Sequence, residues 1–390
     1  MEAVYELKGK ITATNSNEFT DELMAFYEAN GNVVLDATDL EYISSSGIRG
    51  LMKLYKAQKE VRIDNVSEDV FQIFYFAGLT EVFTINTALP VLENDGWDIA
   101  GVGASGTVYR MDNDTAIKVY SEGIGFDYVN QERELARQAF ISGVPTIIPN
   151  KNAKVGNCYA TIFELINSRS LGEMLASEPD RFDTLMDEYV AMMKNMHSIE
   201  DTKGYFKNLQ DLWLKYEYMI REGLREDDAE FVVDVYRNSK RSINLLHGDI
   251  HPGNVMISDG EMVLVDMACM STGPELLDVI TVYRLSMYAE HVGLLEAAEK
   301  SMGIPHDMFE TFWDAFARRY YETDDTAKLE KIKDQMQMIT ALDFMFSINT
   351  IPPENAKNYY IQVGTQAMDT YINPNRDLIR KIFTEGKLDI

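Results

Sequence analysis

The stretch His247-Gly-Asp249-Ile-His251-Pro-Gly-Asn254 constrains this chain more than any other. A bare Asp-x-x-x-x-Asn would mean little, and Gly, Pro and Asn together also suit a surface turn. Here the pattern opens with His-Gly, runs into apolar residues, and is followed by Met262-Val-Leu-Val-Asp266, which reads as a strand delivering another carboxylate. Eleven residues separate Asn254 from Asp266, enough for a hairpin between them. The stretch therefore reads as a loop carrying a carboxylate and an amide, followed by a strand that ends in a second carboxylate.

Composition sets the frame for that fold. The chain has 390 residues, 46% of them hydrophobic and 11% aromatic, and so has room for two or three domains with their own cores. The formal charge of −27 argues against nucleic acid as a main partner. It permits cationic substrates or basic protein partners, and it also suits a solvated acidic surface. Residues 1–95 hold 16 acidic and 7 basic side chains, leaving 47 and 29 beyond, so charge does not divide the chain. No apolar run approaches the roughly 20 residues a membrane helix needs. Cys158 and Cys269 lie far apart without metal-ligand spacing. The expectation is a cytoplasmic protein with no membrane insertion, no disulfide framework and no zinc site.

Residues 1–92 alternate strands and helices. Val4-Tyr5-Glu6-Leu7 has period two, and Gly9-Lys10 suggests a turn. Phe19, Leu23, Met24 and Tyr27 mark one face of a helix, and Val33-Val34-Leu35 a buried strand. Ile48, Leu51, Met52 and Tyr55 mark a second helix, Val61 to Val66 a strand, and Val70, Phe71, Phe74 and Tyr75 a third helix before a strand over Val82–Ile85. The pattern predicts a small α/β layer.

The run from Val33 through Asp39 and Ile43 to Ser44-Ser45-Ser46-Gly47, with the later Gly78-Leu-Thr-Glu-Val-Phe83, resembles the STAS domains of bacterial partner-switching proteins. Those domains usually carry Asp-Ser-Ser/Thr-Gly here, and the Ser that accepts phosphate from a partner kinase maps onto Ser45. Ser44 replaces the Asp. A helix N-terminus suits a phosphate and equally makes Ser a preferred cap, so Ser45 is read as either a phosphoacceptor or an N-cap. The resemblance implies a module that docks a protein partner.

Turn formers from Thr87 to Gly96 set a boundary near residue 93. From Trp97 the parts of a nucleotide-binding lobe follow in order. Gly101, Gly103 and Gly106 form a glycine-rich pattern ending in Val108, and Thr115-Ala116-Ile-Lys118 follows a turn at Asp112-Asn113-Asp114. Three glycines alone would suit many tight hairpins. The set resembles the kinase loop that covers ATP phosphates and the strand lysine that holds them. Lys118 then needs a carboxylate from the helix Asn130–Phe140. Glu134 lies eleven residues before Pro145, a distance similar to that of the helix glutamate in small-molecule kinases, so the resemblance prefers it to Glu132. Thr161 to Ile166 resembles the kinase strand ending at the inter-lobe hinge, and the resemblance implies that backbone groups of Glu164 and Ile166 meet adenine between Val108 and Ala116. Leu185, Tyr189, Met192, Met193 and Met196 form a helical stripe that suits a core, with His197 structural beside it.

Residues 97–390 together resemble the aminoglycoside phosphotransferase and choline kinase-like group. The resemblance implies a bilobal protein-kinase-like fold after the α/β domain, with a β-rich lobe at about 97–166 and a mainly helical lobe at about 167–390. It implies Asp249 as the base for a substrate hydroxyl, Lys118 and Glu134 as its catalytic partners, and Asn254 and Asp266 as ligands of Mg²⁺. His247, His251 and Asp278 become loop supports. Only eight residues separate Asp266 from Glu275, too few for the segment that grips peptide substrates. The implied activity is ATP-dependent phosphorylation of a small-molecule hydroxyl, with an aminoglycoside or amino sugar as one candidate. A protein serine kinase acting on Ser45 or a STAS partner, and a nucleotide-binding scaffold without turnover, are the alternatives.

Overall fold

The computed structural model describes residues 3–103, 105–165, 168–347 and 353–390. Contacts divide the chain into two compact units, 1–93 with 153–156 and 94–152 with 157–390.

In the first unit, β1 (Ala3–Ile11), α1 (Ser16–Asn30), β2 (Val33–Ile43), α2 (Ser45–Gln58), β3 (Arg62–Val66), α3 (Glu68–Phe76) and β4 (Thr84–Thr87) alternate. The strands form one parallel sheet in the order β1-β2-β3-β4. Parallel neighbours require crossovers, and the three helices supply them. Leu7, Leu35 and Ile63 from the strands meet Leu51, Leu54, Val70 and Phe74 from the helices in a single buried core.

Two local expectations fail here. Gly9-Lys10 does not turn the chain, because β1 runs through to Ile11. Gly9 takes φ +59 within the strand, beside a register shift in which Gly9 and Lys10 face Leu40 and Tyr42 and the extra residue, Glu41, lies on β2. The strand expected from Val82 begins only at Thr84. Residues Leu79–Glu81 form a 3₁₀ turn, and Phe83 N–H donates to the Leu79 carbonyl at 2.8 Å. β5 (Val91–Leu92) pairs in parallel with Lys154 and Val155 of the same unit.

The second unit begins with β6 (Asp98–Val102), β7 (Gly106–Arg110), β8 (Thr115–Tyr120), α4 (Phe126–Ile141), β9 (Pro149–Val155, whose residues from Ala153 on count with the first unit) and β10 (Cys158–Glu164). β6, β7, β8 and β10 lie antiparallel in that order. A helical lobe follows, with α5 (Leu171–Ser177), α6 (Phe182–His197), α7 (Leu209–Trp213), α8 (Glu217–Gly223), α9 (Glu226–Arg237), α10 (Leu276–Tyr283), α11 (Leu295–Met302), α12 (Phe309–Tyr320) and α13 (Thr326–Ser347). The expected methionine stripe of α6 is wholly buried, and Tyr189 packs against Phe312 and Phe316 of α12 at ring distances of 6.2 and 6.0 Å. Trp313 is also fully buried, with Tyr283 edge-on at 4.7 Å. These rings are core. Between α9 and α10 the short hairpin Val255–Ser258 and Glu261–Leu264 stands beside the loop that carries Asp249. No helix among the described residues is long and apolar enough to cross a membrane.

Candidate active site

The loop at 247–254 is held by a buried carboxylate. Asp278, on the first turn of α10, is fully buried and accepts the backbone N–H groups of His247 at 2.9 Å and Gly248 at 2.8 Å. His197, at the end of α6, meets the same carboxylate at 3.0 Å. Burial alone would raise the pKa of Asp278. The His197 hydrogen bond and the positive character of His197 and His247 outweigh it, so the carboxyl lies below its ordinary value. Gly248 takes φ +80, and a Cβ there would stand 2.4 Å from the Cys269 carbonyl oxygen, which explains the glycine before Asp249.

The two loop histidines brace in the same manner. His247 Nδ1 faces Asp249 N–H at 3.3 Å and its Nε2 faces the Val265 carbonyl at 3.1 Å. His251 Nδ1 accepts Gly253 N–H at 3.2 Å, and burial holds its pKa below the ordinary histidine value, Asp249 opposing. Asn254 donates from Nδ2 to the Asp249 backbone carbonyl at 2.9 Å. Its own carbonyl accepts Val265 N–H at 3.0 Å. The Asp249 side chain itself is 41% exposed, so a rigid loop presents an open carboxylate.

A second cluster forms around Lys118. Its Nζ lies 2.7 Å from Glu132 Oε1 and 3.3 Å from Asp266 Oδ1. Burial works against the lysine charge, and the carboxylates of Asp266 and Glu132 outweigh it, holding the pKa above the ordinary lysine value. Asp266 reaches this position from the end of the hairpin, in a left-handed conformation at φ +62. Lys118, Glu132 and Asp266 therefore converge from a strand, a helix and a hairpin.

Glu134 is not the partner of Lys118. It pairs with Arg133 and Arg137 on the outer face of α4. The buried residues of α4 are Val129, Glu132, Ala136 and Ala139, one stripe at helical spacing, and Glu132 lies on it. The apolar residues of that stripe were the available signal. Tyr120, also overlooked, shares a strand face with Lys118 two residues earlier, and Lys118 Nζ stands 5.1 Å from its ring centroid.

The expected nucleotide walls sit as follows. Val108 is paired across from Lys118, and Ala116 across from Phe163. Glu164 is exposed at the end of β10, and Ile166 lies outside the described residues. The three glycines divide. A Cβ on Gly106 would stand 2.2 Å from the Val119 carbonyl oxygen, so strand packing demands that glycine. Nothing lies within 4 Å of a Cβ on Gly101, and the Gly103 amide is already bonded to the Gly106 carbonyl at 2.9 Å.

In the first unit, Ser45 is the first residue of α2 and is exposed. The cap is Ser44, whose hydroxyl accepts Gly47 N–H at 3.3 Å. The N-cap reading of Ser45 is therefore corrected, since the residue that replaces the expected Asp performs that role.

Comparison with known proteins agrees with this division. Residues 2–90 match the STAS domain. Residues 101–318 match the phosphotransferase enzyme family. No curated protein matches the chain significantly. Among solved structures, the ADP-bound aminoglycoside phosphotransferase APH(2'')-Ib is 15% identical, with 71% of this chain and 95% of that one covered at a TM-score of 0.46. A choline/ethanolamine kinase family protein from Mesorhizobium loti is 12% identical, with 75% and 93% covered at 0.46. Aminoglycoside-3'-phosphotransferase of type VIII is 17% identical, with 60% and 90% covered at 0.42. Likenesses this distant carry no substrate assignment.

Proposed function

Because the chain belongs to the phosphotransferase enzyme family, we propose that it is an ATP- and Mg²⁺-dependent kinase that phosphorylates a small-molecule hydroxyl on the Asp249 loop. The observation that carries this reading is the meeting of Lys118, Glu132 and Asp266, drawn from three distant segments. A structural ion pair needs only one carboxylate, whereas a lysine shared between a buried and a half-exposed carboxylate suits a site awaiting phosphate.

The chemistry follows from the placement of each group. Asp249 orients the acceptor hydroxyl and takes its proton as oxygen bonds to the γ-phosphorus and the bond to the β-phosphate oxygen breaks, releasing ADP. Lys118, fixed by Glu132, holds phosphate oxygens. Val108 and Ala116 would flank adenine, with Glu164 and Ile166 at its edge. Asn254, through its amide oxygen, and Asp266 fit Mg²⁺, which takes one or two protein oxygen ligands plus phosphates. When bound, Mg²⁺ would neutralise phosphate charge. His247, His251 and Asp278 keep the loop in place.

The acidic composition favours an amine-bearing acceptor such as an aminoglycoside or amino sugar. The first unit would regulate the kinase or recruit a protein partner. A second reading rests on Ser45, whose exposed hydroxyl is released from capping by Ser44. In that reading the kinase phosphorylates Ser45 or the equivalent residue of a STAS partner. Incubation with γ-³²P-labelled ATP and Mg²⁺, with and without pooled hydroxyl metabolites and aminoglycosides, separates the two. Label in the small-molecule fraction is the expected result. Label on protein alone, lost in Ser45→Ala, would favour the second reading and overturn the first.

A further inference from the structure

The first unit carries an unpaired basic face in an otherwise acidic chain. Residues 45–59 contain Arg49, Lys53, Lys56 and Lys59 and no acidic side chain, although residues 1–95 hold 16 acidic against 7 basic. All four cations are exposed. The three remaining cations of that region are each tied to a carboxylate, Lys8 to Glu6, Lys10 to Glu41 and Arg62 to Asp64. Among the described residues, the four on and just beyond α2 have no ion pair, and Arg49 bonds only the Ser46 hydroxyl, at 2.7 Å.

Their spacing makes this a surface and not a scatter. Arg49, Lys53 and Lys56 follow at i, i+4 and i+7, which places them in one row on the helix. Ser45 stands one turn before Arg49 at the head of that row, and Lys59 extends it past the C-terminus. From Ser45 to Lys56 the row is about 17 Å long. The opposite side of α2 is buried through Gly47, Gly50, Leu51 and Leu54. Ile48, Met52 and Tyr55 are half-buried along the row's edge. Like charges at these spacings weaken a helix, and acidic neighbours are plentiful in this chain, so ordinary surface composition would have interleaved them.

We infer that the exposed row of α2 is a docking surface for a protein partner that presents a row of carboxylates. This deepens the proposed partner-recruiting role of the first unit and rests on it. Charge complementarity selects the occupant. The net charge of −27 repels a nucleic-acid backbone or an anionic bilayer as a whole. A short acidic helix or strand can engage the row alone, within the screening distance of about 8 Å at physiological salt.

The test uses the full chain and a fluorescein-labelled helical peptide of about 16 residues with Glu at i, i+4, i+8 and i+11. Binding is read by anisotropy against the same peptide with its sequence scrambled, and against phosphatidylglycerol vesicles. The expected result is binding of the patterned peptide that weakens as salt rises, and that falls at least about tenfold in Arg49→Glu/Lys53→Glu/Lys56→Glu. Circular dichroism and ATP turnover of that variant should match the parent chain. Undiminished binding in the variant would overturn the assignment to this row while leaving a docking role on another face. Absence of patterned-peptide binding even at low salt would overturn both, and preference for the vesicles would replace the protein partner with a lipid surface.

Discussion

The catalytic loop at 247–254 and the glycine-rich turn at 101–106 serve the same nucleotide in the proposed reaction, yet they are held in opposite ways. The catalytic loop hangs from a fully buried Asp278 and is pinned by both histidines and Asn254. The glycine turn is fastened at its far end, where Gly106 packs on the Val119 carbonyl, and is open at Gly101. The difference follows from what each must do. A proton acceptor must be fixed to a fraction of an ångström, so its loop is braced from the core. In the proposed reaction a phosphate cover must admit and release a ligand, which the open space at Gly101 would allow.

The contrast can be broken most strongly at Asp278. Asp278→Ala leaves two backbone amides and His197 facing a void, and is expected to cost about 3–5 kcal/mol, read as a large drop in Tm by calorimetry. A Tm unchanged by that substitution would show that the loop is held by something else. Glu132→Gln should lower kcat/KM by about 10²-fold through misplacement of Lys118, while Glu134→Gln leaves it nearly unchanged. Equal effects from the two would dissolve the distinction drawn on α4.

Glycine substitutions sharpen the comparison within each loop. Gly248→Ala must adopt φ +80 against the Cys269 carbonyl, at a cost of about 1–3 kcal/mol in chemical denaturation. Gly101→Ala meets open space and should change stability by less than about 0.5 kcal/mol, with its effect confined to the KM for nucleotide. The smallest effect is one of pH. His251 has a folded-state pKa below its ordinary value of 6.5, so its stabilising contribution is complete above pH 6.5 and is lost as pH falls below it. Tm should therefore decline on acidification, and His251→Asn should flatten that decline.

The parts that sequence revealed well were contiguous. His247 through Asn254 and the run to Asp266 carry their own spacing, and the alternation of strands and helices over the first unit follows side-chain periodicity. What sequence hid depended on helix phase or on a single hydrogen bond. Choosing Glu134 over Glu132 relied on distance to Pro145, when the stripe of Val129, Ala136 and Ala139 marks the buried face of α4. Assigning the cap to Ser45 failed because three serines in a row are chemically equivalent until the helix start is fixed, and the structure fixes it one residue earlier at Ser44. Gly9 was read as a turn because a glycine with positive φ inside a strand and one in a hairpin have the same local signature.

The most direct test of the central claim is Asp249→Asn, with ATP affinity measured by calorimetry and transfer by single-turnover quench using labelled ATP. The substitution keeps the shape of the side chain and removes its basicity. The account predicts ATP binding within about threefold of the parent chain and transfer slowed by about 10²–10⁴-fold. Transfer at the parent rate would contradict Asp249 as the group that receives the proton.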